Sequence, residues 1–472
     1  MIGKDRSEEE TAMSNREKPA SAGRAALADW KAFCAAHPEV AFLNAVFTDQ
    51  CGTVRGKRMP FAEAGKVFTD GLELPMSVYF LDVTGVNEDV HGRGFSDGDP
   101  DGTAHPIAGT LAVVPWAPDQ AQVMMTMDMP EGGACEFEPR NVLARVAERL
   151  SARGLTPVSA VEFEFYLLDQ KTDALGRPLA PINPSTGDRE RSNQVYGLSE
   201  LDGFSDLLRD ISTFASDLSV PASAAVAEFA PGQYEINLKH GPDPLRSADH
   251  GILLRYLIGA AARAHGFRAS FMAKPYVDQV GNGCHIHTSL LDADGKNIFD
   301  DGGDKGTDQI RHAIGGLQRT LPAAMALLAP NLNAYRRFAP NVFVPVNGAW
   351  GYNNRSVAFR VPTGSPKARR IEHRVAGADA NPYLVLASIL AGIDYGLENK
   401  IDPGEPMQVN ACDRVDPDLP LTLPRALDTF VGSPVLRDYF GDLFVDIYAE
   451  TKRLEFEKFN KIISNRELEW YL

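Results

Sequence analysis

Glu162 and Glu164 stand one residue apart in an apolar run, Val161-Glu162-Phe163-Glu164-Phe165. In a strand, residues two apart share a face, so both carboxylates point one way and the aromatics the other. Carboxylates this close repel one another and are costly to bury unless a cation lies between them. The plainer alternative is a solvated strand face. Glu228 and Glu235 bracket a Pro231-Gly232 turn in EFAPGQYEINL. A tight turn brings its arms together, so these acids either converge or are the polar ends of an ordinary turn. In Gly281-Asn282-Gly283-Cys284-His285-Ile286-His287-Thr288-Ser289, a strand would put His285, His287 and Ser289 on one face. Imidazole is a common metal ligand, and glycines allow close approach of a ligand to the backbone. A lone H-x-H pair is also a common structural feature.

The densest signal is basic. Ser365-Pro366-Lys367-Ala368-Arg369-Arg370-Ile371-Glu372-His373-Arg374 aligns Arg370, Glu372 and Arg374 on one strand face, and Arg336, Arg337, Arg355 and Arg360 lie upstream. The planar fork of donors on arginine suits phosphate and carboxylate. These arginines interleave with Phe338, Val357, Phe359, Ile371 and Val375, which argues against a merely solvated basic patch. Together, Glu162, Glu164, Glu228, Glu235, His285 and Glu372 form a donor set for two hard divalent cations. Phosphoryl transfer asks mainly for positioning and charge neutralisation, which cations and arginines supply. No Walker A loop or kinase glycine-rich loop is present, so a nucleotide would bind in another way.

These residues need a scaffold of helices and strands. Helical periodicity predicts helices at 24–36, 141–153, 202–218, 244–265, 308–328, 381–399 and 436–463. Alternation predicts strands within 40–59, with a turn at Asp49-Gln50-Cys51-Gly52, and short strands through 71–133. Further strands are expected at 160–168, 233–239, 284–291, 356–361 and 370–375. The chain is therefore expected to be α+β, with residues 1–22 as a disordered tail, a small domain over 23–136 and a large one over 137–472. The 472 residues carry a formal net charge of −16, which argues against a nucleic-acid or anionic-membrane partner. The five cysteines are widely spaced with no C-x-x-C pair, so neither a disulfide framework nor a zinc finger is expected. The most apolar stretch, 381–397, is interrupted by Asp394, and the N-terminus has no apolar signal region. A cytoplasmic location is the expectation.

As a set, VEFEF, EFAPGQYEINL, GNGCHIHTSL, NAYRRFAP, NNRSVAFRVP and SPKARRIEHR with ADANPYL resemble the type I glutamine synthetase superfamily, in family order from about 160 to 385. The N-terminal RGKRMP, LPMSVYFLDVTG and GDPD more narrowly resemble its γ-glutamylputrescine synthetase branch. The resemblance implies an N-terminal β-grasp domain and a C-terminal catalytic domain of curved antiparallel sheet with helices. It further implies a dodecamer of two hexameric rings with active sites shared between neighbouring chains. It assigns Glu164, Glu228 and Glu235 to one cation, Mg2+ or Mn2+, and Glu162, His285 and Glu372 to a second. Gly281, Arg337 and Arg374 (with Arg355) fall where the family binds glutamate, Arg355 and Arg360 where it contacts the transferred phosphoryl group, and His287, Ser289, Lys367 and Arg370 near ATP. The implied reaction runs through γ-glutamyl phosphate to an amide.

Three departures bear on the nitrogen substrate and on regulation. Ammonia-using members carry an acidic flap residue where Phe343 stands here, and an Asp in the segment that here reads Leu74-Pro75-Met76-Ser77-Val78. Cys412 stands where some bacterial members carry a regulatory Tyr. Loss of two anionic contacts to ammonium suits a larger amine such as putrescine or another polyamine. Phe343, Trp350 and Tyr79 are the candidate walls of its pocket, and Asp82 a candidate charge contact. The competing readings are a true glutamine synthetase, a non-catalytic relative with the same fold, and a metal-dependent carboxylate kinase or hydrolase.

Overall fold

The computed structural model describes residues 23–472, so the expected tail over 1–22 lies outside the described residues. The chain opens with α1 (Leu27–Ala36), three residues later than its predicted start, and Trp30 packs on Phe61 and Phe68. β1 (Phe42–Thr48) and β2 (Val54–Pro60) form the expected hairpin. Its turn is set by Asp49, whose Oδ1 accepts the N–H groups of Cys51 and Thr53, and by Gly52 at φ +76°. Then follow β3 (Leu72–Pro75), β4 (Asp101–Pro106), β5 (Ala112–Val114) and β6 (Ala117–Asp128). The sheet order is β2-β1-β6-β4-β3, with β5 also on β6; β1 and β6 run parallel and the other pairs antiparallel.

α2 (Pro139–Ala152) starts on a proline and buries Val142, Leu143, Val146 and Leu150 along one stripe. The larger sheet begins with β7 (Thr156–Asp169), followed by α3 (Leu198–Gly203), α4 (Ser205–Asp217), β8 (Ala222–Ala227), β9 (Gln233–Leu238), α5 (Pro244–Ala264), β10 (Phe267–Ser270) and β11 (Cys284–Leu291). After α6 (Asp308–Leu328) come β12 (Trp350–Tyr352), β13 (Phe359–Val361) and β14 (Ile371–His373). The chain ends with α7 (Pro382–Asn399), α8 (Leu423–Val431), α9 (Pro434–Phe440), α10 (Asp442–Asn460) and α11 (Asn465–Tyr471). The sheet order is β12-β13-β14-β11-β7-β9-β8, with β10 also on β7. Its pairs are antiparallel except β12 with β13, which run parallel. The fold is α+β, with helices covering the apolar side of this sheet. α6 and α7 meet backbone to backbone: a Cβ on Gly316 would lie 2.1 Å from the Gly392 carbonyl oxygen.

Two predicted helices are divided. The segment 202–218 is two helices that meet at Phe204, and the C-terminal segment breaks at Gly441, whose φ of +83° no right-handed helix accommodates. The alanine-rich β8 carries little strand propensity and is a strand because β9 pairs with it. No helix among the described residues is long and apolar enough to cross a membrane.

Buried charges tie the smaller sheet to the helices. Lys452 of α10 is 2 % exposed, with Nζ 3.0 Å from both Glu455 oxygens and 3.1 Å from Cys51 Sγ. Glu455 also accepts the Val83 N–H, and Asn381 donates to the Asp49 carbonyl. Arg140 pairs with Asp249 at 2.9 Å, and the Tyr383 hydroxyl donates to the same carboxylate. Removing one partner of a buried ion pair strands the other charge, so Glu455→Ala should lower unfolding free energy by about 3–5 kcal/mol, read as a drop in the urea midpoint.

Glu138 predicts a pH dependence. Its Oε2 accepts from Thr126, Met127 N–H and Asn141, and burial pushes its carboxyl up to about 8 against the pull of those donors. The folded value lies above the ordinary carboxylate value of about 4.3, so the protonated form favours folding. That stability is complete below the ordinary value and is lost as pH rises through about 8. Glu138→Gln should therefore flatten the fall in the urea midpoint between about pH 5 and pH 8.5.

Candidate active site

β7 runs through the middle of the larger sheet and carries Glu162 and Glu164 on the face opposite Phe163 and Phe165, which are buried. Register then builds the site. Glu164 lies opposite Glu235 of β9, and Glu162 lies opposite His285 of β11. His287 lies opposite Glu372 of β14, and Glu372 opposite Arg360 of β13. Cross-strand partners share a sheet face, so five strands contribute to one row of ionisable side chains. Glu228 joins from the β8–β9 turn, where its N–H donates to the Gln233 carbonyl.

The row is tight. Ligand atoms of Glu164, Glu228 and Glu235 lie within 4.8 Å of one another, as do those of Glu162, Glu235 and His285, and those of Glu162, His287 and Glu372. His285 Nε2 is 3.8 Å from Glu164 Oε1, and His287 Nε2 is 3.0 Å from Glu162 Oε1. Glu372 sits between Arg360, at 2.7 Å, and Arg374, with which it also forms an ion pair. Arg370 Nε donates to His287 Nδ1 at 3.0 Å.

The electrostatics divide the acids into two groups. Burial pushes Glu235 up to about 9, reinforced by Glu162, Glu164 and Glu228, and burial with Glu164 pushes Glu228 up to about 7. Burial works on Glu372 too, but Arg374, the two histidines and Arg360 outweigh it and hold that carboxyl at about 2. Glu162 is held well below the usual range, because His285 and His287 overcome its desolvation. Glu164, Glu228 and Glu235 are thus acids crowded without enough positive charge of their own. Carboxylate oxygens are the donors that hard divalent cations take, with imidazole suiting transition-metal ions, and a cation among them would offset the burial and repulsion that raise the Glu235 carboxyl. The residues present fit such a group.

The first expected set, Glu164, Glu228 and Glu235, comes together as one group. The second is divided differently: His285 falls with Glu162 and Glu235, whereas His287, expected near ATP, falls with Glu162 and Glu372. Both histidines face the same way, and only the register with β14 decides which meets Glu372.

The anion-binding candidates line the same region. Arg337 is 3 % exposed and donates to the Val375 carbonyl. A Cβ on Gly281 would lie 2.5 Å from the Ala273 oxygen and 2.7 Å from Arg337 Cγ, so glycine is required there. Arg360 also donates to Asn353 at 2.9 Å. Arg355 and Lys367 are exposed, and Ser289 is half-buried on β11. Two residues sequence reasoning passed over also belong here. Asn237 donates to Glu162 Oε1 at 2.9 Å, and its strand spacing from Glu235 was the available signal. His240 packs its ring against His287 at 5.8 Å and carried no such signal.

The proposed aromatic walls do not gather. Phe343 is 68 % exposed at φ +54° and lines a cavity of about 590 Å³ with Tyr352, Asn354, Arg355 and Met407. Trp350 is instead buried, its indole N–H donating to the Gly404 carbonyl. Tyr79 is buried edge-on to Phe47 in the smaller sheet's core. Asp82 is fully buried and paired with Lys458. Trp350 on a three-residue strand and Tyr79 on a 3-10 turn are both spent on packing. Cys412 is also buried, its thiol donating to the Ser356 carbonyl.

Glu164→Ala should weaken Mn2+ binding, measured by calorimetry, by at least about tenfold, or ~1.4 kcal/mol. Arg355→Ala, which removes an exposed side chain, should leave that affinity close to the parent value.

Comparison with known proteins places this geometry. The family "Glutamine synthetase, catalytic domain" matches residues 136–471. The γ-glutamylputrescine synthetase PuuA of Escherichia coli (strain K12) is 40 % identical over 453 residues, which is 95 % of each chain. The glutamate–isopropylamine ligase of Pseudomonas sp is 33 % identical, covering 91 % of this chain and 94 % of that one. A glutamine synthetase of Halobacterium salinarum is 31 % identical, covering 91 % and 93 %. The structure of the GmaS/ADP complex superposes with a TM-score of 0.81 at 26 % identity, covering 94 % of this chain and 99 % of that chain. On sequence and on fold, this chain belongs to the glutamine synthetase family.

Proposed function

We propose that this ligase joins the side-chain carboxylate of glutamate to an aliphatic amine, with a diamine or polyamine such as putrescine preferred over ammonium. The observation that carries the reading is the row from Glu235 to Arg360, which sets an acid cluster beside a cluster of guanidinium groups. Its family uses ATP and divalent cations. In this reading Glu164, Glu228 and Glu235 hold one cation, and Glu162, Glu372 and a histidine hold a second. Bound there, the cations would supply Lewis-acid neutralisation of phosphate charge.

The chain's own groups then have distinct tasks. Gly281, Arg337 and Arg374 orient glutamate so that a side-chain carboxylate oxygen lies in line with the γ-phosphorus of ATP. That oxygen forms the new P–O bond as the bond to ADP breaks, giving γ-glutamyl phosphate. Arg355 and Arg360 offset the charge on the transferred group, and His287, Ser289, Lys367 and Arg370 hold the nucleotide. The amine, as its free base, attacks the acyl carbon. Phosphate leaves, and the nitrogen gives up its proton. A carboxylate resists this attack and an acyl phosphate does not, which is why ATP is spent.

The amine preference rests on Phe343, which lines the cavity together with Arg355. An aromatic face holds an ammonium group at roughly 0.5–2 kcal/mol, and each buried methylene contributes about 0.8 kcal/mol. Complete burial of four methylenes would favour putrescine over ammonia by roughly 3 kcal/mol before entropy losses, an upper bound on the order of a hundredfold. Two relatives whose names specify an amine, PuuA and the isopropylamine ligase, support the reading. We also propose a division into domains near residue 136 and a dodecameric assembly. Ile462, Ile463, Trp470, Tyr471 and Leu472 support the assembly, because these apolar side chains are exposed among the described residues.

ADP release with glutamate and a panel of amines tests the function. Putrescine or spermidine should give a kcat/KM about a hundredfold above that for ammonium. A higher value for ammonium than for every amine would make the protein an ordinary glutamine synthetase, and ADP release with none would remove the ligase reading.

A further inference from the structure

The loop between β14 and α7 lies at the back of the candidate glutamate site, and its backbone is pinned from several directions. Cys284 N–H donates to the Ala376 carbonyl, Gly377 N–H to that of Leu328, and Ala378 N–H to that of Asn282. Asp379 projects from this loop into the interior. Its Oδ2 accepts from Asn331 Nδ2 at 2.6 Å. Asn331 Oδ1 in turn accepts the N–H of Ala334, the first residue of the 3-10 turn Ala334–Arg337. The other oxygen, Oδ1, is buried and has no hydrogen-bond partner among the described residues.

That oxygen faces charge. A Cβ on Gly377 would lie 2.4 Å from Asp379 Oδ1 and 3.4 Å from Arg337 Nη1, so both atoms border the space a side chain at 377 would fill. Arg337 is buried, its Nη1 donates to the Val375 carbonyl of the same loop, and its Nε has no partner among the described residues. On the other side, Arg255 is half-buried over Phe163 and Phe271 and donates to the Ala380 carbonyl. A buried guanidinium needs an acid near it. The other acid near Arg337, Glu164, is committed to the acid cluster and accepts the Gly283 N–H at 2.7 Å.

We propose that Asp379 is a positioning residue for Arg337, holding its guanidinium by charge and its turn through Asn331, so that Arg337 meets the glutamate carboxylate already oriented. The inference rests on the reading that Arg337 binds glutamate. Preorganisation of this kind acts on substrate affinity, because an arginine free to swing must be ordered when glutamate arrives. Gly377 belongs to the same device, since any side chain there would wedge between acid and base.

The test is steady-state kinetics on three variants of the full chain. Asp379→Asn keeps an acceptor for Asn331 and removes the charge. Gly377→Ala pushes the carboxylate aside without removing it, and Arg337→Lys reports whether Arg337 binds glutamate at all. Asp379→Asn and Gly377→Ala should each raise KM for glutamate by roughly tenfold while KM for ATP and the melting temperature change little. If Arg337→Lys raises the glutamate KM and the other two do not, Asp379 has no positioning role and the glutamate reading stands. If none of the three raises it, the glutamate reading fails and the inference with it. If Asp379→Asn lowers the melting temperature and kcat with glutamate KM unchanged, its role is structural and the proposal is overturned.

Discussion

Like charges opposite one another across a sheet repel, yet β7 and β9 pair Glu164 with Glu235 at the centre of this fold. That repulsion governs the region around it. Burial and this repulsion together push the Glu235 carboxyl up to about 9 and the Glu228 carboxyl up to about 7, a concentration of acid that a cation would relieve. A sheet held by hydrogen bonds on both sides and backed by buried helices is stiff enough to keep the acids together against their preference. The site is thus primed by the fold, and its strain lies on the residues that would take the metal.

The second acid group is handled in the opposite way. Glu162 is offset by two histidines and Glu372 by two arginines, so both stay ionised through the charge of their neighbours. The result is a gradient along one sheet face, from under-compensated acid at β9 to excess guanidinium at β13. A nucleotide triphosphate bridging cations and arginines would span that gradient. Arg355 and Phe343, both exposed, line the adjoining cavity.

The smaller sheet is not independent of this. Its β1–β2 turn rests on Asn381 and, through Cys51, on Lys452 and Glu455, while Asp82 anchors to Lys458. These contacts tie the smaller sheet to α7 and α10 and explain why Asp82 is unavailable to a substrate within one chain, while Tyr79 is packed against Phe47 in the smaller sheet's core.

Local pattern in the sequence sufficed for the α+β class, for α6 and β11 to the residue, and for Glu162 facing with Glu164 and His285 with His287, because period and turn chemistry are local properties. It also sufficed for the family, since six motifs in order outweigh any one of them. Local pattern could not decide which histidine joins Glu372, that the segment from 436 breaks at Gly441, or that Trp350 and Tyr79 are spent on packing. It left Asp379 looking like an ordinary loop residue. Those outcomes depend on strand register and on which neighbours fill the space around a side chain. Both are set by contacts between segments far apart in the chain, and only the tertiary structure decides them.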